Sequence, residues 1–462
     1  MKPPVIVIPG ITATALRDAY PDDAESIWDL TSKDYERTAL HPDDLRYERF
    51  QPSHVRVGDV FSIPYDNFVG DLRHDLSPTR DRPRPVYLFP YDWRQPLDRS
   101  VERLAEFVES VIARTVLLRH YQRGAGYTQR DGRVDLVGHS MGGLLVAGYL
   151  ARHPSTHRTR KAITLGTPFG GSFEAVIKVV TGTAELGGDA PSSRERETAR
   201  LTPALYHLVP TEGLEVEGDR LPRTLFDAGL WQPGVIESIA EHLRLNGLSP
   251  ARAKAERLGQ ATILLQALLD RAADFRAAIA DLDLAAVGLD ASDWLSIAGI
   301  GERTRVALRI EDRGPSGDEG PWFDLASVDR KNGYPLPELR DGLVTADLTD
   351  TGDGTVPYLA ARPPFVPHEA LVCVATDDFG YWEIADRLLR RFTNLHSMLP
   401  AMNRVVKLCG AFLDADQGQR ASSHPGLQGR RSPECLRRGT DWAPPFVGLE
   451  EEQPGEFRRE RR

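Results

Sequence analysis

The chain has 462 residues and a formal net charge of −10, with 41% hydrophobic and 27% charged residues. This is the balance of a globular protein able to bury a full core, and the dispersed acidic charge excludes the clustered basic face that nucleic-acid binding needs. The first apolar run, Val5–Ile8, is too short for a secretory signal, no run approaches the ~18 apolar residues of a membrane span, and Cys373, Cys409 and Cys435 form no C-x-x-C pair, so reduced thiols and a cytoplasmic location are expected.

Val5–Ile8 predicts a strand apolar on both faces, closed by Pro9-Gly10-Ile11-Thr12. Val86–Phe89, Val134–Val137, Ala162–Leu165, Trp294–Ala298 and Ala370–Ala375 repeat the pattern, each ended by Gly, Pro or a polar turn. Helical patterns lie between them. Val101, Leu104, Val108, Val111 and Ile112 share one helical face behind the capping candidates Asp98 and Ser100, and Leu144–Leu150 continues from Gly142-Gly143. This alternation predicts an α/β fold, a mostly parallel sheet covered by helices. Residues 172–290 interrupt it with long helical patterns at Arg252–Leu269 and Ala272–Leu282. The expected organisation is a core in two parts, 1–171 and 291–415, split by a helical cap at 172–290. A loosely ordered tail is expected at 416–462, where apolar periodicity fades and charges mix with Pro and Gly.

The strand at Val134–Val137 runs into Gly138-His139-Ser140-Met141-Gly142 and then a helix, the G-x-S-x-G nucleophile turn in its strand–turn–helix setting. Such a turn is tight enough to strain Ser140 and to let strand and helix approach only over small residues. It projects the serine oxygen from the sheet edge and directs the Met141 N–H to where an oxyanion would form. His139, beside the nucleophile, is expected to point away from it and to be structural. This setting identifies the α/β-hydrolase fold, in which the acid and then the base follow the nucleophile along the chain.

Asp353, in Gly352-Asp353-Gly354-Thr355-Val356-Pro357, is the candidate acid. An ordinary Asp-Gly turn, or a cation loop shared with Asp350, remains open for it. Of the histidines after Asp353, His368 precedes the Ala370–Ala375 strand at the wrong sheet end and His424 lies in the tail. His396 precedes the apolar helical pattern Met398, Leu399, Met402, Val405 and Val406 and is the candidate base. The first turn is the expected source of the second oxyanion N–H, from Ile11 with Thr12 as alternate. Tyr91-Asp92-Trp93-Arg94 follows a strand at the same sheet edge. Arg94 suits pairing with Asp92, and Trp93 suits anchoring, so support of the site is expected before substrate contact.

Several stretches in one order resemble the lecithin:cholesterol acyltransferase-like family, which includes lysosomal phospholipase A2 and phospholipid:diacylglycerol acyltransferases. They are V-I-P-G at 7–10, P-Y-D-W-R at 90–94, G-H-S-M-G-G at 138–143, L-G-T-P-F-G-G-S at 165–172, P-A-L-Y-H-L-V-P at 203–210, I-A-G-I-G-E-R-T at 297–304, G-D-G-T-V-P at 352–357, and His396. The resemblance covers about residues 5–410, with cap and tail poorly matched. It implies a serine-dependent O-acyltransferase or lipase that carries a lipid acyl group on Ser140, with Asp353 and His396 as partners, and passes it to an alcohol or water. Transient contact with a membrane surface is a further implication. One departure stands out: secreted members have a disulfide-anchored flap, whereas no cysteine lies in the first 100 residues here, and the flap candidate around Trp28 and Asp34–Arg37 is strongly charged.

The sequence has no H-E-x-x-H, no C-x-x-C and no phosphate-cradling Gly-rich loop with Lys, and acyl-serine chemistry needs no cofactor. An esterase or thioesterase on a small soluble substrate, or a non-catalytic hydrolase-fold binding module, are the alternative readings.

Overall fold

The computed structural model describes residues 2–19, 25–31, 33–39, 55–123, 126–182, 193–217, 219, 221–245, 247–312, 321–323, 327–329, 334–336, 339–341, 351–380, 394–415 and 427–452. Eight strands form the central sheet: β1 (Val5–Ile8), β2 (Val86–Leu88), β3 (Val134–His139), β4 (Thr159–Leu165), β5 (Trp294–Ile300), β6 (Val372–Ala375), β7 (Gln428–Arg431) and β8 (Glu450–Glu451). Their order across the sheet is β8-β7-β6-β5-β4-β3-β1-β2. From β2 to β6 every pairing is parallel, with Val5 opposite both Val86 and Asp135 and Leu165 opposite Ile297, which is also opposite Val372. Only β6 and β7 run antiparallel.

The apolar runs form strands because both faces of the sheet are covered. Ile6, Ile8, Leu136 and Ala162 enter one core, against α2 (Leu97–Val116) and α3 (Met141–Arg152). Val5, Val7, Val137, Ile163 and Leu295 enter the other, against α1 (Ser62–Leu76) and a helix at Asn403–Asp414. The five apolar residues foreseen on one face of α2 are all buried. This is the α/β-hydrolase fold, with each parallel strand delivering its C-terminal end to one edge.

The insertion is mainly helical: α4 (Phe173–Thr181), α5 (Ser193–Leu201), α6 (Pro233–Leu245) and α7 (Lys254–Ala280). They share a core of their own around Tyr206, Trp231, Leu265 and Leu269. The patterns at 252–269 and 272–282 fall in one continuous helix, since no Gly or Pro interrupts them at their junction. Leu214–Glu217 pairs in parallel with Arg305–Asp312, which also pairs with 321–323 and 339–341, so a small sheet joins the cap to residues beyond β5.

Residues 427–452, expected to be loosely ordered, are built onto the sheet. Buried Asp378 accepts from Arg404 and Arg430 at 2.7 Å each, and Arg404 also pairs with Glu452. Arg431 pairs with Glu451 at 2.6 Å, and the Trp442 indole donates to the Leu371 carbonyl at 3.1 Å. Charges that look solvated in sequence are thus ion-pair partners at a sheet edge. Residues 416–426, with His424, and 453–462 lie outside the described residues, as does Asp350. No described helix is long and apolar enough to cross a membrane.

Candidate active site

The site begins with the turn from β3 to α3. Ser140 has φ 54° and ψ −128°, a conformation rare for a residue with a side chain, and it is buried. Its N–H donates to the Leu165 carbonyl at 2.8 Å. The neighbouring glycines are required by proximity. A Cβ on Gly138 would lie 2.5 Å from Gly143 Cα, and one on Gly142 would lie 2.3 Å from the Ile8 carbonyl oxygen. Strand, turn and helix therefore pass one another backbone to backbone, which lifts the Ser140 oxygen to the edge of the sheet.

Asp353 and His396 arrive from separate loops. His396 Nε2 is 2.8 Å from Ser140 Oγ and its Nδ1 is 2.7 Å from Asp353 Oδ2. Asp353 is fully buried; its other oxygen accepts from the Thr355 N–H at 3.0 Å and the Val356 N–H at 2.7 Å. The Asp353 main-chain carbonyl also accepts the His396 N–H at 2.9 Å. Asn394 caps the short helix Leu395–Met398, accepting from the Ser397 N–H at 3.1 Å, and donates to Thr355 Oγ1 at 2.6 Å, so one residue braces the loops of both groups. Of the other histidines after Asp353, His368 stands in a single 3₁₀ turn just before β6, at the opposite strand end.

The first turn lies against the serine. A Cβ on Gly10 would be 3.0 Å from Ser140 Cβ, so Ile11 and Thr12 directly follow a residue in contact with it. Thr12 has φ 63°, a second strained non-glycine position. Aromatic side chains hold this loop by its carbonyls. Tyr91 OH donates to Pro9 at 3.0 Å, Trp28 Nε1 to Thr12 at 3.0 Å and Trp93 Nε1 to Thr14 at 3.1 Å. Met141 supplies the first N–H of α3, at the positive end of the helix, where intrahelical partners are lacking.

Arg94 grips Asp92 through Nε at 2.9 Å and NH2 at 2.8 Å, and donates from NH1 to the Thr38 carbonyl at 3.2 Å. Burial would raise the Asp92 carboxyl, but the Arg94 guanidinium and the bonds to it outweigh that and hold it below the usual carboxylate value. Tyr91, Trp93 and Arg94 thus touch the first turn or the flap, and Asp92 holds Arg94 in place. In the flap Arg37 pairs with Glu25 at 2.8 Å and Asp34 at 3.0 Å, while Trp28 packs on Trp93 with ring centroids 4.8 Å apart. Hydrogen bonding and aromatic packing anchor this flap. The Thr198 hydroxyl on α5 donates to the Tyr35 carbonyl at 2.7 Å, joining flap to cap.

Three contributors escaped the sequence reading. Gly166, at φ 53°, leaves room for Asp353 and His396: a Cβ there would be 2.8 Å from Asp353 Oδ2 and 3.1 Å from His396 Nδ1. Gly299, inside β5, admits Asp353, whose Cβ would be 2.5 Å from an added Cβ. A glycine within an apolar strand pattern marks such a close approach, and that signal was available in I-A-G-I-G. The third, Tyr65, reaches the site from α1 with its hydroxyl 2.7 Å from His139 Nδ1. Nothing in the pattern of α1 distinguishes this tyrosine from a core residue.

Comparison with known proteins gives a family match. The lecithin:cholesterol acyltransferase family model matches residues 81–224, which include the P-Y-D-W-R, G-H-S-M-G-G, G-T-P-F-G-G-S and P-A-L-Y-H-L-V-P stretches. Among solved structures, a chain of the Tle4–Tli4 complex superposes with a TM-score of 0.52 at 17% identity, over 78% of this chain and 89% of that one. The siderophore hydrolase EstB from Aspergillus fumigatus is 15% identical over 59% of this chain and 78% of its own, with a TM-score of 0.22. The Bacillus licheniformis lipase BlEst2 is 13% identical over 53% and 74%, with a TM-score of 0.15. The first likeness shows a shared fold, and the other two are too distant to argue from. No curated protein gives a significant match. The chain has the α/β-hydrolase fold and, over residues 81–224, which include the Gly138–Gly142 turn, is similar to the lecithin:cholesterol acyltransferase family.

Proposed function

We propose that this protein is a serine-dependent O-acyltransferase or lipase that takes the acyl group of a lipid ester through an acyl-Ser140 intermediate. The observation that carries the reading is the hydrogen-bonded chain from Asp353 through His396 to Ser140, at 2.7 and 2.8 Å. The family match supports acyl-ester hydrolase or transferase chemistry in general.

In this mechanism His396 Nε2 takes the Ser140 hydroxyl proton as the oxygen attacks the ester carbonyl. Asp353 Oδ2 accepts from Nδ1, fixes the tautomer and stabilises the imidazolium that forms. The carbonyl oxygen, now an anion, is received by the N–H groups of Ile11 and Met141. Collapse breaks the ester C–O bond, and the leaving alcohol recovers the proton from His396. An acceptor alcohol or water then repeats the sequence on the acyl-serine and restores the free hydroxyl. Tyr91, Asp92, Trp93 and Arg94 support the first turn rather than meet substrate. Residues 172–290 cap a core formed by 1–171 and 291–415, and transfer outruns hydrolysis where that cap excludes water and aligns the alcohol.

The test is turnover of p-nitrophenyl esters of short to long acyl chains by wild type and Ser140→Ala, with an alcohol acceptor titrated in. A lipid acyltransferase favours long chains, releases nitrophenol only with Ser140 present and diverts product to the alcohol ester. Preference for short chains with no diversion selects the small-substrate esterase, and equal inactivity of both proteins on all chains rejects the reading.

A further inference from the structure

The histidine beside the nucleophile is bonded at both ring nitrogens. His139 Nδ1 is 2.7 Å from the Tyr65 hydroxyl, and His139 Nε2 is 2.9 Å from the main-chain carbonyl oxygen of His396. The same Tyr65 hydroxyl accepts the N–H of Gly10 at 2.9 Å. Tyr65 and His139 are both buried. The two ends of this chain fix its direction, since a peptide N–H only donates and a carbonyl only accepts. Gly10 therefore donates to Tyr65, Tyr65 donates to Nδ1, and His139 carries its proton on Nε2 for His396. A second proton on Nδ1 would leave the tyrosine with two donors facing its oxygen and no acceptor for its own hydrogen. Burial first, and the neighbouring His396 ring second, lower the His139 pKa to about 3, in keeping with a neutral ring.

We propose that Tyr65 and His139 are positioning residues that tie the first-turn residue Gly10 to the main chain of His396, setting the distance between the oxyanion N–H of Ile11 and the base. The inference rests on the acyl-Ser140 reading. The relay passes through His139, whose chain neighbour Ser140 leads into α3, so three segments distant in sequence share one set of hydrogen bonds. A purely structural contact would stabilise the fold without setting the rate of the chemical step.

The experiment compares wild type, Ser140→Ala and Tyr65→Phe. Tyr65→Phe keeps the ring and deletes only the hydroxyl. Steady-state kinetics on an activated ester and the rate of covalent labelling by a fluorophosphonate are measured for each. The relay predicts that Tyr65→Phe lowers kcat and the labelling rate together by about 10- to 100-fold, with KM within about twofold. Unchanged kcat and labelling in Tyr65→Phe, with wild type labelled at Ser140, overturn the relay alone. Wild type that is neither labelled nor active overturns both the relay and the reading beneath it. Should Tyr65→Phe not fold, the ¹⁵N-histidine spectrum of wild type decides, with the His139 signal assigned by its loss in His139→Gln. The relay requires a neutral ring protonated on Nε2 at about pH 5, where an ordinary histidine is charged, and a charged ring there overturns it.

Discussion

Asp353 holds His396 twice: its carboxylate accepts from the imidazole Nδ1 at 2.7 Å, and its main-chain carbonyl accepts from the His396 N–H at 2.9 Å. Only the first bond depends on the side chain. Asp353→Asn therefore keeps the loop together while turning an amide NH₂ either toward Nδ1 or toward the Thr355 and Val356 N–H groups. Either arrangement sets donor against donor or reverses the histidine tautomer. The expected result is a fall in kcat of about 10⁴-fold, with KM and the thermal midpoint little changed, measured by ester turnover and circular dichroism. A loss below about tenfold contradicts the role of Asp353.

The second prediction concerns the glycine two residues after Ser140. The Ile8 carbonyl oxygen is part of a central strand and cannot yield the space that a Cβ on Gly142 needs at 2.3 Å. Gly142→Ala should destabilise the fold by about 3 kcal/mol in urea titration, from overpacking in a rigid interior. Gly70→Ala, where an added Cβ meets nothing within 4 Å, should be neutral or slightly stabilising and serves as the control.

The strand–turn–helix around Ser140 was legible in sequence because a tight turn is a local event: strand, small residues and helix are adjacent along the chain. The six apolar runs were legible for a related reason, since a buried parallel strand must be apolar on both faces. Other features were not, and the reasons differ. In Gln428–Arg431 the arginines pair with Asp378, Glu451 and Glu452, and pairing across such separations leaves no periodicity to read. The Leu214–Glu217 pairing with Arg305–Asp312 joins segments on either side of β5, a long-range contact that helical pattern does not reveal. Tyr65 lies 74 residues before His139, on a helix whose buried face reads as core. Its hydroxyl is chemically special only in three dimensions.

Stability should fall steeply on mild acidification. Burial lowers the pKa of His139 and His207 to about 3 and of His242 to about 4, below the ordinary value of 6.5. Below about pH 6.5 the unfolded chain takes up protons that the folded one refuses, so the stability present above that value is lost as pH falls toward the folded pKa values. Each histidine contributes a slope of about 1.4 kcal/mol per pH unit, and the three together reach ~4 kcal/mol per unit near pH 5. Urea midpoints measured from pH 7 down to about 4.5 check this, and a flat profile over that range contradicts it.

Asp378 should be the keystone of the C-terminal segment. Its carboxylate is buried, bonds Arg404 and Arg430 and accepts the Ala375 N–H at 2.7 Å. Asp378→Ala leaves two half-sequestered guanidinium groups without this partner and should cost about 3 kcal/mol. Hydrogen exchange should accelerate first in residues 427–452 of this variant, ahead of β1, β3 and β4, whereas uniform acceleration would mean that the segment unfolds only with the core.

The central claim is that the Ser140 oxygen forms the covalent intermediate. Its most direct test is treatment of the intact protein with a long-chain fluorophosphonate, followed by whole-protein mass measurement and peptide mapping. The account predicts one adduct per chain, on the peptide bearing Gly138-His139-Ser140-Met141-Gly142, absent from Ser140→Ala and strongly slowed in His396→Ala. An unmodified wild-type protein, or an adduct on any other residue, would contradict it.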